Sequence, residues 1–171
     1  MDIQGGTAKI LAKNHQYLGV NRAFKRFRKG DIANGQAGVF WHTQGSGKSI
    51  SMVLFSQKIL RKIPGNWSFV IVTDRVELDD QISKNFKDAG CILDTRARAD
   101  NASNLRQLLT ENHRYVFTLI QKFRTVEPGD VHPTISQRDD IVVIVDEAHR
   151  SQYDTFALNM RTALPNAHFM A

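Results

Sequence analysis

In the stretch AGVFWHTQGSGKSISMVLF, residues 37–55, an apolar run gives way to a loop of small and hydroxyl-bearing residues that ends in Gly-Lys-Ser where a helix-like segment begins. No other feature restricts the fold as much. Gly45 and Gly47 remove side chains, so successive backbone N–H groups can curl around an anion, and the helix that follows points its positive end into the same place. A phosphate suits that cradle, with Thr43, Gln44, Gly45, Ser46 and Gly47 forming it. Lys48 would reach the outer phosphates of a nucleoside triphosphate such as ATP, and the Ser49 hydroxyl would take one position on Mg²⁺. The loop departs from the G-x-x-x-x-G-K-[ST] pattern at its first position, His42, but the small residues matter most at Gly45 and Gly47.

About a hundred residues later, IVVIVDEAHRSQY sets two adjacent acids at the end of five β-branched residues. A carboxylate at the tip of a strand next to the phosphate loop, Asp146, can hold Mg²⁺ through water, while its neighbour Glu147 orients and deprotonates an attacking water. Adjacent residues on a strand face different ways, so the two acids divide metal and water between them. His149 has no zinc-spaced partner and reads as a link between the γ-phosphate site and a moving domain.

Four runs, VFWH, SFVIVTD, YVFTLI and IVVIVD, are apolar nearly throughout instead of alternating, which is the mark of strands buried on both faces. Between them Lys48–Lys62, Val76–Asp88, 103–110 and 154–163 have helical spacing, with Ser103 the expected cap of the third and Pro64-Gly65 closing the first. The β-α-β-α order predicts a layered α/β domain with a mostly parallel sheet, and ligands in such sheets sit beyond the carboxyl ends of the strands. Residues 15–29 predict an amphipathic helix with Tyr17, Val20, Phe24 and Phe27 on one face and a solvated basic face around it. Residues 1–12 predict a disordered tail, and 127–138, with Pro128, Gly129 and Pro133, an exposed loop.

With 171 residues and 42% hydrophobic composition, one domain is expected at 13–171. One cysteine, Cys91, excludes an internal disulfide framework and a multi-cysteine zinc site. No apolar stretch approaches the roughly 20 residues of a membrane span, and the first residues lack a secretory apolar region, so a cytoplasmic protein without membrane contact is expected. A net charge of +6 admits a polyanionic partner.

Taken together, HTQGSGKS, VTDRVELDDQ, TLIQKF and DEAHRSQY resemble the motor region of the restriction (R) subunit of type I restriction-modification enzymes, within superfamily 2 of helicases and translocases. The resemblance runs from His15 onward. It implies a three-layer, RecA-like P-loop NTPase fold, incomplete at its C-terminus. It also implies the function of an ATP-binding lobe, with Mg²⁺, that drives translocation along double-stranded DNA before cleavage. Residue by residue, it implies that Gln16 reads adenine and that Lys48, Asp146 and Glu147 are catalytic, with Ser49 and Asp146 on the metal. It further implies that Thr73 and Arg75, and Gln121 and Lys122, line a track for the DNA backbone. Such contacts suit a motor because they do not read bases.

The family's full subunit has a nuclease domain, a second motor lobe and a helical segment that docks on methyltransferase and specificity subunits. No nuclease motif is identified in these 171 residues. Arginines from a second lobe can be worth about 10³–10⁵ in rate, so slow hydrolysis or none is expected of this chain alone. The competing expectations are another superfamily 2 lobe, such as an RNA helicase, and a non-catalytic nucleotide-binding module. A P-loop small-molecule kinase is a poorer fit, since no lid or acceptor pocket is proposed by 127–138.

Overall fold

A computed structural model describes residues 2–3, 6–7, 9–29, 35–40, 43, 45–92, 97–125, 130–146 and 153–171. In chain order these form β1 (Asp2–Ile3), β2 (Gly6–Thr7), α1 (Asn14–Arg28), β3 (Gln36–Gly38), α2 (Lys48–Lys62), β4 (Ser68–Thr73), α3 (Val76–Asp88) and β5 (Ala97–Arg98). There follow α4 (Ala102–Thr110), β6 (Tyr115–Leu119), a 3₁₀ turn (Ile120–Phe123), β7 (Ile141–Val145), α5 (Tyr153–Ala163) and β8 (His168–Met170). Six strands make one sheet in the order β3-β8-β7-β4-β6-β5, and every neighbouring pair is parallel.

The continuous apolar runs are explained by what lies on each side. Phe69 and Ile71 of β4, Tyr115 and Phe117 of β6, and Val142 and Ile144 of β7 pack under α1, α2 and α3. The alternate residues Val70, Val72, Val116, Val143 and Val145 pack under α4, α5 and the 3₁₀ turn. Period-2 alternation therefore survives in space while vanishing from the sequence, because both faces are covered.

Four sequence expectations shift. The strand expected at VFWH lies earlier, at Gln36–Gly38, because β3 pairs with β8 through a register shift and Val39 already points to solvent at 75% exposure. Helix α4 is capped by Asn101, whose side chain accepts from the Asn104 N–H at 2.8 Å, so the cap falls two residues before Ser103. The loop expected to be exposed at 127–138 is partly fastened down: His132 is buried, and the Ile135 N–H donates to the Ala163 carbonyl at 2.8 Å. Inside the tail expected at 1–12, Asp2–Ile3 pairs antiparallel with Gly6–Thr7 through backbone alone. The two short strands β5 and β8 escape sequence reading because two or three residues give no period.

No described helix is long and apolar enough to cross a membrane. At the amino end of the sheet, the His168 ring lies 5.0 Å from the Phe27 ring and 5.9 Å from Trp67. Burial pushes the imidazole below its ordinary value of 6.5, against a smaller opposing effect of the Asp139 backbone. The neutral ring is the folded form, so its contribution is present above pH 6.5 and is lost as pH falls through it. Thermal unfolding should therefore move to lower temperature between pH 7.5 and pH 5.5, and His168→Gln should flatten that slope; an unchanged slope in the variant would remove His168 as its source.

Candidate nucleotide site and strand-end track

The phosphate loop is shaped by left-handed backbone at its two glycines, with φ +74° at Gly45 and +89° at Gly47. L-residues rarely adopt that conformation, which is why glycine stands at both positions. Ser46 closes the turn, its N–H donating to the Thr43 carbonyl at 3.2 Å and its hydroxyl to the same oxygen at 2.6 Å. Helix α2 begins at Lys48 with Gly47 as its cap, so its first unpaired N–H groups face the loop.

Helix α1 braces the loop from behind. Gln16 is buried; its Nε2 donates to the Gly47 carbonyl at 3.0 Å, and its Oε1 accepts from the Lys13 N–H at 2.9 Å. His15 adds a second tie, its Nε2 donating to the Ser46 carbonyl at 3.1 Å. A Cβ on Gly47 would lie 2.5 Å from Gln16 Nε2, inside the smallest contact real side chains make. Gly47→Ala should therefore cost about 1–3 kcal/mol through backbone strain and a displaced Gln16, read as a lower midpoint in urea unfolding; a midpoint equal to the parent's would mean that Gln16 does not brace the loop.

Asp146 ends β7, its N–H donating to the Val72 carbonyl at 2.8 Å. Lys48 Nζ lies 2.9 Å from Asp146 Oδ1, with the carboxylate largely buried and the lysine one-third exposed. The strand carrying Asp146 is not next to the strand that feeds the loop: β8 lies between β3 and β7. The Lys48 side chain reaches across that interval to bring ammonium and carboxylate together. Glu147, His149 and Gln44 lie outside the described residues.

These groups match what Mg²⁺ and a triphosphate need. Among the described residues no cluster of three His, Cys, Asp or Glu could hold a metal alone. Mg²⁺ is commonly held by one or two carboxylates together with substrate phosphates and water, which Asp146 beside the phosphate loop can supply. A cleft of about 480 Å³ opens beside the loop between α1 and the exit of β3, lined by His15, Arg22, Arg26, Phe40, Thr43 and Ser46. Sequence reading assigned Arg22 and Arg26 to a solvated face and missed His15; its one signal was adjacency to Gln16.

The two strand-end segments expected to line a track do meet. β4 and β6 are neighbours, and Gln121 Nε2 donates to the Asp74 carbonyl at 3.0 Å, tying one segment to the other. Arg75 is exposed, with Nε 3.6 Å from Asp74 Oδ2, and Lys122 Nζ donates to the Asp100 carbonyl at 2.5 Å. Thr73 is a correction: its side chain is fully buried and its hydroxyl donates weakly to the Arg75 carbonyl at 3.4 Å, so it shapes the turn and presents no surface. Arg98, missed from sequence, pins β5 to α3 through Asp79 at 3.0 Å and Asp80 at 2.7 Å.

Comparison with known proteins bears on the family of the chain. The SWI2/SNF2 ATPase family model matches residues 15–171. The type I restriction enzyme HindI endonuclease subunit of Haemophilus influenzae is 40% identical over an alignment that covers 99% of this chain and 18% of that protein. The putative type I restriction enzyme MjaIXP endonuclease subunit of Methanocaldococcus jannaschii is 35% identical, with 95% and 16% covered. The chain thus spans less than a fifth of the length of these relatives. Among solved structures, a nuclease-deletion mutant of the Type ISP restriction-modification enzyme LlaGI, in complex with a DNA substrate mimic, aligns with a TM-score of 0.62 at 14% identity. That alignment covers 95% of this chain and 17% of LlaGI. The ATP-dependent Type ISP enzyme LlaBIII bound to DNA aligns equally well at 13% identity, covering 96% of this chain and 13% of its own. At such identities these neighbours speak for the fold alone.

Proposed function

The chain belongs to the SWI2/SNF2 ATPase family, and from that membership we propose that it is the ATP-binding lobe of a type I restriction enzyme motor, coupling ATP hydrolysis to movement along double-stranded DNA. The observation that carries the reading is the 2.9 Å contact between Lys48 and Asp146, which joins the phosphate loop to the carboxylate at the end of β7. Methyltransferase and specificity subunits would be partners of the larger protein, and DNA cleavage an activity of it.

ATP, bound with Mg²⁺, supplies the phosphoryl group to be transferred. The backbone N–H groups of Gly45 to Ser49 bind its inner phosphates, and Lys48 leaves Asp146 to neutralise the outer ones. Asp146 and Ser49 would hold the metal, which would neutralise phosphate charge, and Glu147 would accept the proton of the attacking water. The cleft beside His15 and Arg22 takes the ribose and base. Gln16 has one N–H and one acceptor lone pair beyond those it spends on Gly47 and Lys13, enough to read adenine while bracing the loop. Arg75 and Lys122 touch the DNA backbone at the ends of β4 and β6 without reading bases.

Glu147→Gln tests the assignment. The amide cannot accept the proton, so in a longer subunit that supplies the second motor lobe hydrolysis should fall about 10²–10⁴-fold while ATP stays bound. A variant that hydrolyses ATP at the parent rate would remove Glu147 from the mechanism. If the parent chain and the variant both bound no ATP, the non-catalytic module would be the better description.

A further inference from the structure

The net positive charge of this chain arises in one part of it. Residues 9–62 contain eleven Lys and Arg against a single acid, Asp31, a balance of +10, whereas the whole chain stands at +6. Everything else therefore sums to −4, including the segments that carry the strand-end track. Neither α1 nor α2 contains one acidic residue.

Five of the basic residues lie along the seam between α1 and α2, apart from Lys48 in the loop and from Arg22 and Arg26 in the cleft beside it. Lys58 of α2 donates to Asn21 of α1 and lies 5.1 Å from the centre of the Phe24 ring, which fixes the seam between the two helices. From Asn21 the helix period carries Lys25 and Arg28 along the same side, and from Lys58 it carries Arg61 and Lys62 one turn on. These four are exposed, and none has an ion-pair partner among the described residues. On the α2 side, Arg61 and Lys62 border a groove of about 460 Å³ that is also lined by Leu54, Gln57 and Lys58, by Ile10 of the segment before α1 and by Ala89 after α3. Cations in a last helical turn suit the helix dipole, but that effect does not require the absence of every acid from both helices.

We propose that the outer α1–α2 face is a second binding surface for the phosphate backbone of duplex DNA, separate from the strand-end track. Its location makes it separate: α2 ends at Lys62 and β4 starts at Ser68, so Arg61 and Lys62 lie at the amino end of the sheet, whereas Arg75 and Lys122 lie at the carboxyl end. The charge is carried by flexible Lys and Arg side chains spread over two helices, which suits contact to phosphates and not the reading of bases. A motor with a second electrostatic hold beyond its track would keep a neighbouring stretch of duplex against the same lobe. The proposal rests on the DNA-binding reading above.

The experiment is binding of a fluorescent 30-base-pair duplex to the full chain over a series of salt concentrations. The variant carries Lys25→Gln, Arg28→Gln, Arg61→Gln and Lys62→Gln together. Each phosphate contact contributes a slope of about 0.9 in log K against log salt, so the variant should lose about 3 in slope and at least tenfold in affinity at low salt. A pair variant with only Arg61→Gln and Lys62→Gln should lose about half of that slope, and circular dichroism should show both variants folded. Parent-like slope and affinity in both would overturn the proposal, as would parent-like DNA binding with lost binding to polyglutamate, which would assign the face to an acidic protein segment. A third variant, Arg75→Ala with Lys122→Ala, separates the readings: if it alone weakens DNA binding, the track stands and this surface falls; if no variant does, both fall.

Discussion

Lys48→Ala should weaken binding of ATP with Mg²⁺ by about 10- to 150-fold, the equivalent of the roughly 1.5–3 kcal/mol carried by hydrogen bonds to a charged group. Two properties of the site set the size of the effect. The ammonium is only one-third exposed and is held 2.9 Å from Asp146, so it acts where solvent screening is reduced. It also joins the loop to the end of β7 across the intervening strand β8. Fluorescence titration with a labelled ATP analogue measures the loss, and Lys48→Arg gives a control that keeps charge while changing shape. Parent-like affinity in Lys48→Ala would mean that the Gly-Lys-Ser loop does not hold the nucleotide's phosphates.

The second large effect is on the fold. Phe117 sits in the middle of β6 with no exposed surface, its ring centre 5.6 Å from that of Phe86 on α3 at a nearly perpendicular angle. Phe117→Ala removes a ring that the surrounding strands cannot close over, and should cost about 3–5 kcal/mol. That is a large part of the roughly 5–15 kcal/mol by which domains are stable. The same strand ends at the Gln121–Lys122 segment, so loosening β6 should also loosen the tie from Gln121 to Asp74. Chemical unfolding reads the loss; a change below about 1 kcal/mol would mean that β6 is not the packed interior strand described here.

Much of this architecture was legible because strong signals coincided. Four apolar runs announced buried strands, and three of them are β4, β6 and β7 at nearly the expected residues. The fourth misled because Gly38, at φ +151° and beside a register shift, ends the strand before the bulky residues of VFWH begin. The joining of Lys48 and Asp146 followed from the chemistry each residue needs, yet the strand between them did not, since β8 offers only His168–Met170 as its signal. Gln16 illustrates the opposite limit. Nothing in NHQYLGV tells an exposed amide from a buried one; the bond to Gly47 comes from a contact 31 residues away in the chain. Arg98 was unreadable for the same reason, because its partners Asp79 and Asp80 belong to another element. Thr73 was placed in the right turn with the wrong exposure, since strand-end motifs reveal which residues cluster and not which of them face outward.

The most direct measurement is a double-mutant cycle for affinity of ATP with Mg²⁺, made with Lys48→Ala, Asp146→Asn and the two combined. Groups that share one magnesium-bound triphosphate should be coupled, with the double variant departing from the sum of the single effects by about 0.5–3 kcal/mol. Strict additivity, or an Asp146→Asn variant whose affinity and magnesium dependence match the parent's, would contradict a single pocket built from the phosphate loop and the end of β7.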